Sequence, residues 1–174
     1  MKTIDNYLPT EDFDELCKLI MWNHSFPFFL GEGVAEGENI GADFNNWYAS
    51  HVLGADNKIF SLLNFKVKVL LRLKVNFYPH TDQIYEHKPH VDYDFNNKAA
   101  LLSLNTCDGF TRLHDGTKVD SIANRLLLFD GHESHNSSTT TNASGRWNIN
   151  INYWDNGGSY VDTVEATGNR VRSA

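Results

Sequence analysis

From Val67 to Phe77 the chain alternates with a period of two. Val67, Val69, Leu71, Leu73, Val75 and Phe77 are apolar, while Lys68, Arg72, Lys74 and Asn76 between them are polar. Successive side chains of a strand point to opposite faces, so this pattern predicts one long strand with a buried face, ended by Tyr78-Pro79. Shorter strands are predicted over Ala99 to Asn105, Phe110 to Leu113, Ala123 to Phe129 and Trp147 to Trp154. Asp108-Gly109, Asp115-Gly116 and Asp130-Gly131 separate them as turns.

The first third reads differently. Phe13, Leu16, Cys17, Leu19 and Ile20 recur at helical spacing after Thr10-Glu11-Asp12, which reads as an N-cap followed by acidic first-turn residues. Leu30 to Gly41, with four glycines, reads as a loop. A second helix is predicted over Asp43 to Leu53, with Phe44, Trp47, Tyr48 and His51 on one side, and a third short segment over Asn57 to Leu63. Helices followed by many short strands predict an α+β protein, with N-terminal helices (about 1–65) covering a mainly antiparallel β core (about 66–156). A double-sheet jelly roll closes that many strands. The tail, about 162–174, is polar and expected to fray. One domain of 1–174 is expected, with neither repeat nor linker.

Charge narrows the partners. The 174 residues carry a net charge of −7, and the dense cationic run Lys66, Lys68, Arg72, Lys74 has strand spacing rather than the form of a basic tail. Nucleic acid binding, which draws on clustered Lys and Arg, is disfavoured. Two distant cysteines, Cys17 and Cys107, give neither a disulfide framework nor a zinc motif, so a reducing cytoplasm fits. No apolar run approaches the roughly 20 residues of a membrane span.

The candidate chemistry sits in His87-Lys88-Pro89-His90-Val91-Asp92. In an extended segment His90 and Asp92 point to the same side and could meet one metal ion. A third ligand would come from a distant strand, and His135 lies just beyond the Ala123 to Phe129 segment; His87 and His132 are rival imidazoles and Asp94 a rival carboxylate. Two His and one carboxylate on one side of a metal form the facial triad of non-haem iron(II) oxygenases, whose open positions take a 2-oxo acid and O2. Eleven residues after His135, Arg146 begins a strictly alternating strand, with Asn148, Asn150 and Asn152 on its face. A guanidinium there suits the far carboxylate of a dicarboxylate co-substrate. Asn76 and Tyr78 share a face at the end of the long strand and could donate to the same oxo acid.

The ordered set Asn76-x-Tyr78, His90-x-Asp92, Asp108-Gly109-Phe110-Thr111, Arg125 to Asp130, His135 and Arg146-x-Asn148 resembles the 2-oxoglutarate/iron(II) dioxygenase superfamily. The prolyl-4-hydroxylase-like branch, with its compact microbial and viral members, is the most similar. The resemblance covers about half the chain, Val67 to Trp154. It implies a double-stranded β-helix with helices on its major sheet, and iron held by His90, Asp92 and His135. It further implies 2-oxoglutarate contacted by Arg146, Tyr78, Asn76 and Asn148, and consumption of O2. The expected reaction is hydroxylation of an unactivated C–H bond, in a peptide or small-molecule substrate such as a peptidyl or free amino-acid side chain, with release of succinate and CO2. Two departures stand out: Phe110 separates Gly109 from Thr111 where the family has Gly-Gly, and no second Arg follows Arg146. The loop with His80, Tyr85 and Lys88 is expected at the substrate entrance. Two other classes compete: a cupin-type metalloenzyme without 2-oxoglutarate, which would carry more histidine ligands, and a non-catalytic β-sandwich module, in which these residues would lie apart.

Overall fold

In a computed structural model residues 1–31, 33–35, 47–55 and 57–155 are described. The described strands are β1 (Lys2–Ile4), β2 (Phe29–Gly31), β3 (Tyr48–Leu53), β4 (Val69–Pro79), β5 (Lys98–Ser103), β6 (Phe110–Leu113), β7 (Lys118–Asp120), β8 (Leu126–Asp130), β9 (His135–Ser137) and β10 (Gly145–Trp154). The helices are α1 (Thr10–Ile20) and α2 (Lys58–Leu63). An antiparallel major sheet runs β1-β8-β5-β10-β4-β3-β2, and a minor sheet runs β7-β6-β9. Residues 80–92 extend the minor sheet through bridges His80–Thr140, Glu86–Ser138 and His90–His135. The two sheets form the jelly roll that the alternating pattern predicts.

The outer face of the major sheet carries the core. Leu16 and Ile20 of α1 and Ile59 and Leu63 of α2 pack with Leu73 and Val75 of β4, Leu102 of β5, Leu126 and Leu128 of β8, and Ile149 and Ile151 of β10. Both helices are amphipathic, so burying one side of each against apolar strand positions removes both surfaces from water. The period of β4 is broken once: Asn152 pairs with Arg72 but Tyr153 with Leu70, so a bulge takes up Leu71. Leu70 therefore turns toward the helices in the place the alternation assigns to Leu71.

Three local expectations are corrected. Tyr48–Leu53 is strand β3, paired with β4 from Ala49–Phe77 to Leu53–Leu73, not the end of a helix; residues 43–46 lie outside the described residues. In so short a stretch, apolar spacing satisfies both periods, and the open edge of β4 offers backbone partners a helix would forgo. Thr10 is the first helical residue of α1, and the cap is Pro9, without a side-chain cap bond. In β8 the strand begins at Leu126, because Asn124 adopts a left-handed conformation (φ 60°). Its side chain instead accepts from Leu8 N (2.9 Å) and donates to Leu8 O (2.8 Å), tying the N-terminal segment to the sheet. The Leu30 to Gly41 loop opens with β2, most of its remainder lies outside the described residues, and so does the 162–174 tail. Asn57 caps α2 by accepting from Ile59 N (2.9 Å). No described helix is long and apolar enough to cross a membrane.

Candidate functional site

Backbone pairing brings the three metal-ligand candidates together. His90 N donates to His135 O and His135 N to His90 O, each at 2.9 Å. Such a mutually bonded antiparallel pair sets two side chains opposite each other on one face, and the imidazole centroids are 4.8 Å apart. Asp92, two residues on, is anchored through its N–H to Gly131 O at 3.1 Å. One donor atom each from His90, Asp92 and His135 lies within 4.8 Å of the others, a separation that two bonds of about 2.1 Å to one ion nearly span.

Each ligand candidate is tuned by its surroundings. His135 Nδ1 lies 2.9 Å from Glu133 O. A carbonyl only accepts, so Nδ1 carries a hydrogen, and Nε2, 3.7 Å from Asp92 Oδ2, is the nitrogen placed to ligate. Burial, with neighbouring His135, pushes the His90 pKa down to about 4, so its ring is neutral at pH 7 and able to ligate. Asp92 has a side chain only 4% exposed. Burial raises its pKa, but His135, Arg72 and the Asn152 and Asn150 amides outweigh that and hold it below the usual range. Arg72 Nη2 donates to Oδ1 at 2.5 Å, and Asn152 Nδ2 and Asn150 Nδ2 donate to Oδ2 at 2.8 and 3.3 Å. The rivals face elsewhere: buried His87 points Nδ1 at Ser137 O and Oγ, both 3.0 Å, His132 Nδ1 faces Asn97 O at 3.5 Å, and Asp94 is exposed.

The register of β10 on β4 arranges the inner face in rows: Arg146 beside Tyr78, Asn148 beside Asn76, Asn150 beside Lys74 and Asn152 beside Arg72. Next to the ligand candidates opens a cavity of about 490 Å³, lined among others by Tyr48, Arg72, Lys74, Asn76 and Tyr78. Of the polar β10 residues Asn150 lines it, whereas Arg146 and Asn148 are not among its lining residues. They are closed in against their β4 neighbours: Asn76 Nδ2 donates to Asn148 Oδ1 at 3.0 Å, and the Arg146 guanidinium lies 5.4 Å from the Tyr78 ring centroid. From the loop after β4 the cavity takes Pro89, followed by His90 and Val91.

Arg146 is 1% exposed. Its Nη2 donates to Thr111 Oγ1 (2.8 Å) and its Nη1 to Ser138 O (3.3 Å), but Nε has no partner. Within the described residues no carboxylate pairs with it, and burial lowers its pKa. Gly109 makes room for it: a Cβ there would lie 2.7 Å from both Arg146 Cδ and Thr139 O. Buried Asn76 Oδ1, Asn148 Nδ2 and Asn150 Oδ1 also lack partners. Of these orphaned atoms Arg146 Nε and Asn148 Nδ2 are donors and, beside an unneutralised cation, fit an anionic guest, whereas the two amide oxygens await donors. Two imidazoles and a carboxylate likewise fit a divalent transition metal.

Sequence reasoning missed Arg72, Lys74 and Thr111 as members of this interior. Arg72 and Lys74 read only as polar positions of a half-exposed strand, and the meeting of Arg72 with Asp92 and of Lys74 with Tyr48 depends on register that no local pattern carries.

The sequence matches no family model and none of the curated proteins compared with it. The structure is similar to a Trichoplax adhaerens prolyl hydroxylase solved with a peptide fragment of the hypoxia inducible factor oxygen degradation domain. The two are 19% identical, the TM-score is 0.62, and the match covers 97% of this chain and 87% of that one. It is similar to HygX from Streptomyces hygroscopicus, solved with nickel and 2-oxoglutarate bound (10% identity, TM-score 0.60, 90% and 83% covered). A Pseudomonas putida prolyl-4-hydroxylase matches at 14% identity and TM-score 0.54, with 88% and 92% covered. The chain thus has the double-stranded β-helix fold that it shares with these two prolyl hydroxylases and with HygX.

Proposed function

We propose that this protein is an Fe(II)- and 2-oxoglutarate-dependent oxygenase that hydroxylates an unactivated C–H bond, in a peptidyl or free amino-acid side chain. The carrying observation is the convergence of His90, Asp92 and His135 beside a cavity. In this reading the three side chains hold the metal, which together with the oxo acid and O2 supplies the oxidant. Arg146 binds the far carboxylate of 2-oxoglutarate by charge-assisted hydrogen bonds, and Thr111 and Ser138 orient the guanidinium. The Tyr78 ring lines the cavity and lies 5.4 Å from the Arg146 guanidinium, so it would border a dicarboxylate bound there. Free Cys17 and Cys107 suit a reducing cytoplasmic setting.

Release of succinate from 2-oxoglutarate tests the reading. It should require Fe(II) and stop in His90→Ala. If 2-oxoglutarate left the melting temperature of metal-loaded protein unchanged, a cupin-type enzyme using no oxo acid would be the better description.

A further inference from the structure

The cavity is cationic in an acidic protein. The chain carries −7 overall, yet of the described residues lining the cavity the charged ones are Arg72, Lys74 and a single carboxylate, Asp92. Arg72 is engaged by Asp92. Lys74 is not neutralised: its Nζ donates to Tyr48 Oη at 3.2 Å and lies 4.7 Å from the Tyr48 ring centroid, and no described carboxylate pairs with it. Lys74 alternates with Arg72 and Asn76 on one face of β4, so its ammonium belongs to the wall that also carries the Asp92 clamp. A lysine over a tyrosine ring, with the phenol at its head, is a ready pair of donors.

The charge balance points to an anion. With Asp92 ionised, and with a divalent metal and one dicarboxylate co-substrate in place, Arg72, Lys74, Arg146 and the metal still outweigh the negative charges. Low-dielectric walls strengthen that imbalance, and a cation-lined cleft raises the local concentration of anionic substrate.

We propose that the substrate is itself an acid whose carboxylate is held by Lys74, Tyr48 and the outer side of Arg72. The carbon to be oxidised would then belong either to an amino acid with a free α-carboxylate or to a peptide bearing an acidic side chain. This rests on the oxygenase reading and deepens it from reaction class to substrate class. Lys74 and Tyr48 are substrate-binding residues here, distinct from the Arg146 end assigned to the co-substrate.

The test separates the two readings. Full-length protein, loaded with Mn(II) and saturating 2-oxoglutarate without O2, is titrated by calorimetry with four probes: N-acetyl-L-proline, its amide, N-acetyl-L-aspartate α-amide and phenyl phosphate. The titrations are repeated on apoprotein. At least one carboxylate probe should bind more than about tenfold tighter than the uncharged amide, the gain of one charge-assisted contact. Which carboxylate binds distinguishes a free terminus from an acidic side chain. Lys74→Met should erase the preference and Lys74→Arg should retain it, so a mere folding defect in the first variant is recognisable. Equal binding of the amide, preference for the phosphate, a preference that survives in Lys74→Met, or no binding by any carboxylate overturns the proposal. Acid binding through Lys74 without Fe(II)-dependent succinate release would sink the oxygenase reading alone. Succinate release driven equally by neutral amides would sink the substrate assignment alone.

Discussion

Two arginines face the same interior and live by different rules. Arg72 on β4 meets a carboxylate, Asp92, and its Nε also donates to Asn152 Oδ1 at 3.0 Å, so the chain satisfies it unaided. Arg146 on β10 is more deeply buried, 1% exposed, with an unpartnered Nε and no described carboxylate. Burying a charge is costly unless it is paired and hydrogen-bonded. In the proposed function Arg146 would meet an anion the chain does not itself supply, whereas Arg72 clamps a residue already present. In that reading the difference separates the groups around the proposed metal ligands from those that would receive the co-substrate.

The comparison can be broken by removing what each guanidinium needs. Asp92→Ala leaves Arg72 facing two amides and no anion. We expect a loss of about 2–3 kcal/mol in metal-free protein, discounted from a fully buried pair because Arg72 is 25% exposed. Chemical denaturation measures it, and an unchanged midpoint would mean that the clamp is idle. Arg146→Met should leave metal binding in place and weaken 2-oxoglutarate binding about 100-fold, equivalent to about 2.7 kcal/mol. Calorimetry on the Mn(II)-loaded variant decides it, and wild-type affinity would remove Arg146 from the site.

Two further substitutions sharpen the Arg146 side. Gly109→Ala forces a methyl against Arg146 Cδ and the Thr139 carbonyl. Overpacking of this kind costs about 2 kcal/mol, a fall of roughly 4–8 °C in melting temperature, and a thermal scan that shows no fall would mean the passage is roomier than the structure has it. Next to it, Asp108 accepts from Thr140 Oγ1 (2.6 Å), Thr141 N (2.9 Å) and Thr141 Oγ1 (2.5 Å). Burial raises its pKa, but these donors outweigh that and hold it at about 2. A carboxyl depressed on folding stabilises fully above its unfolded value near 3.8 and loses that contribution as the pH falls through about 2. Because solvent screens so accessible a carboxylate, Asp108→Ala should cost only about 1 kcal/mol at pH 7, and progressively less below pH 4. Urea midpoints across that range read the slope, and a pH-independent loss would contradict the charge-based account.

Much of the site was legible without coordinates. His90-x-Asp92 needs only extended backbone to put both groups on one side, and that is a local property. The β10 alternation likewise separates Trp147, Ile149 and Ile151 from Arg146, Asn148 and Asn150 whatever the partner strand. The edge was harder to read: β3 is a strand because β4 has free backbone groups beside it, and neither its length nor its periodicity announces that. The Leu71 bulge decides which side of β4 Leu70 occupies, and single-strand periodicity steps over it.

By itself, then, the sequence determined the strand-rich core, the helices that cover it, and the residue types fit to hold a metal and a dicarboxylate. These follow from period, turn chemistry and donor set, which act over a few residues. Only the tertiary structure decided that Arg72 clamps Asp92, that Lys74 stands beside Tyr48 in the cavity, and that Arg146 is sealed against Tyr78. Those contacts join segments 20 to 68 residues apart, such as Arg72–Asp92 and Arg146–Tyr78. They depend on register and sheet closure, and register is fixed by the packing of whole faces rather than by any one stretch of chain.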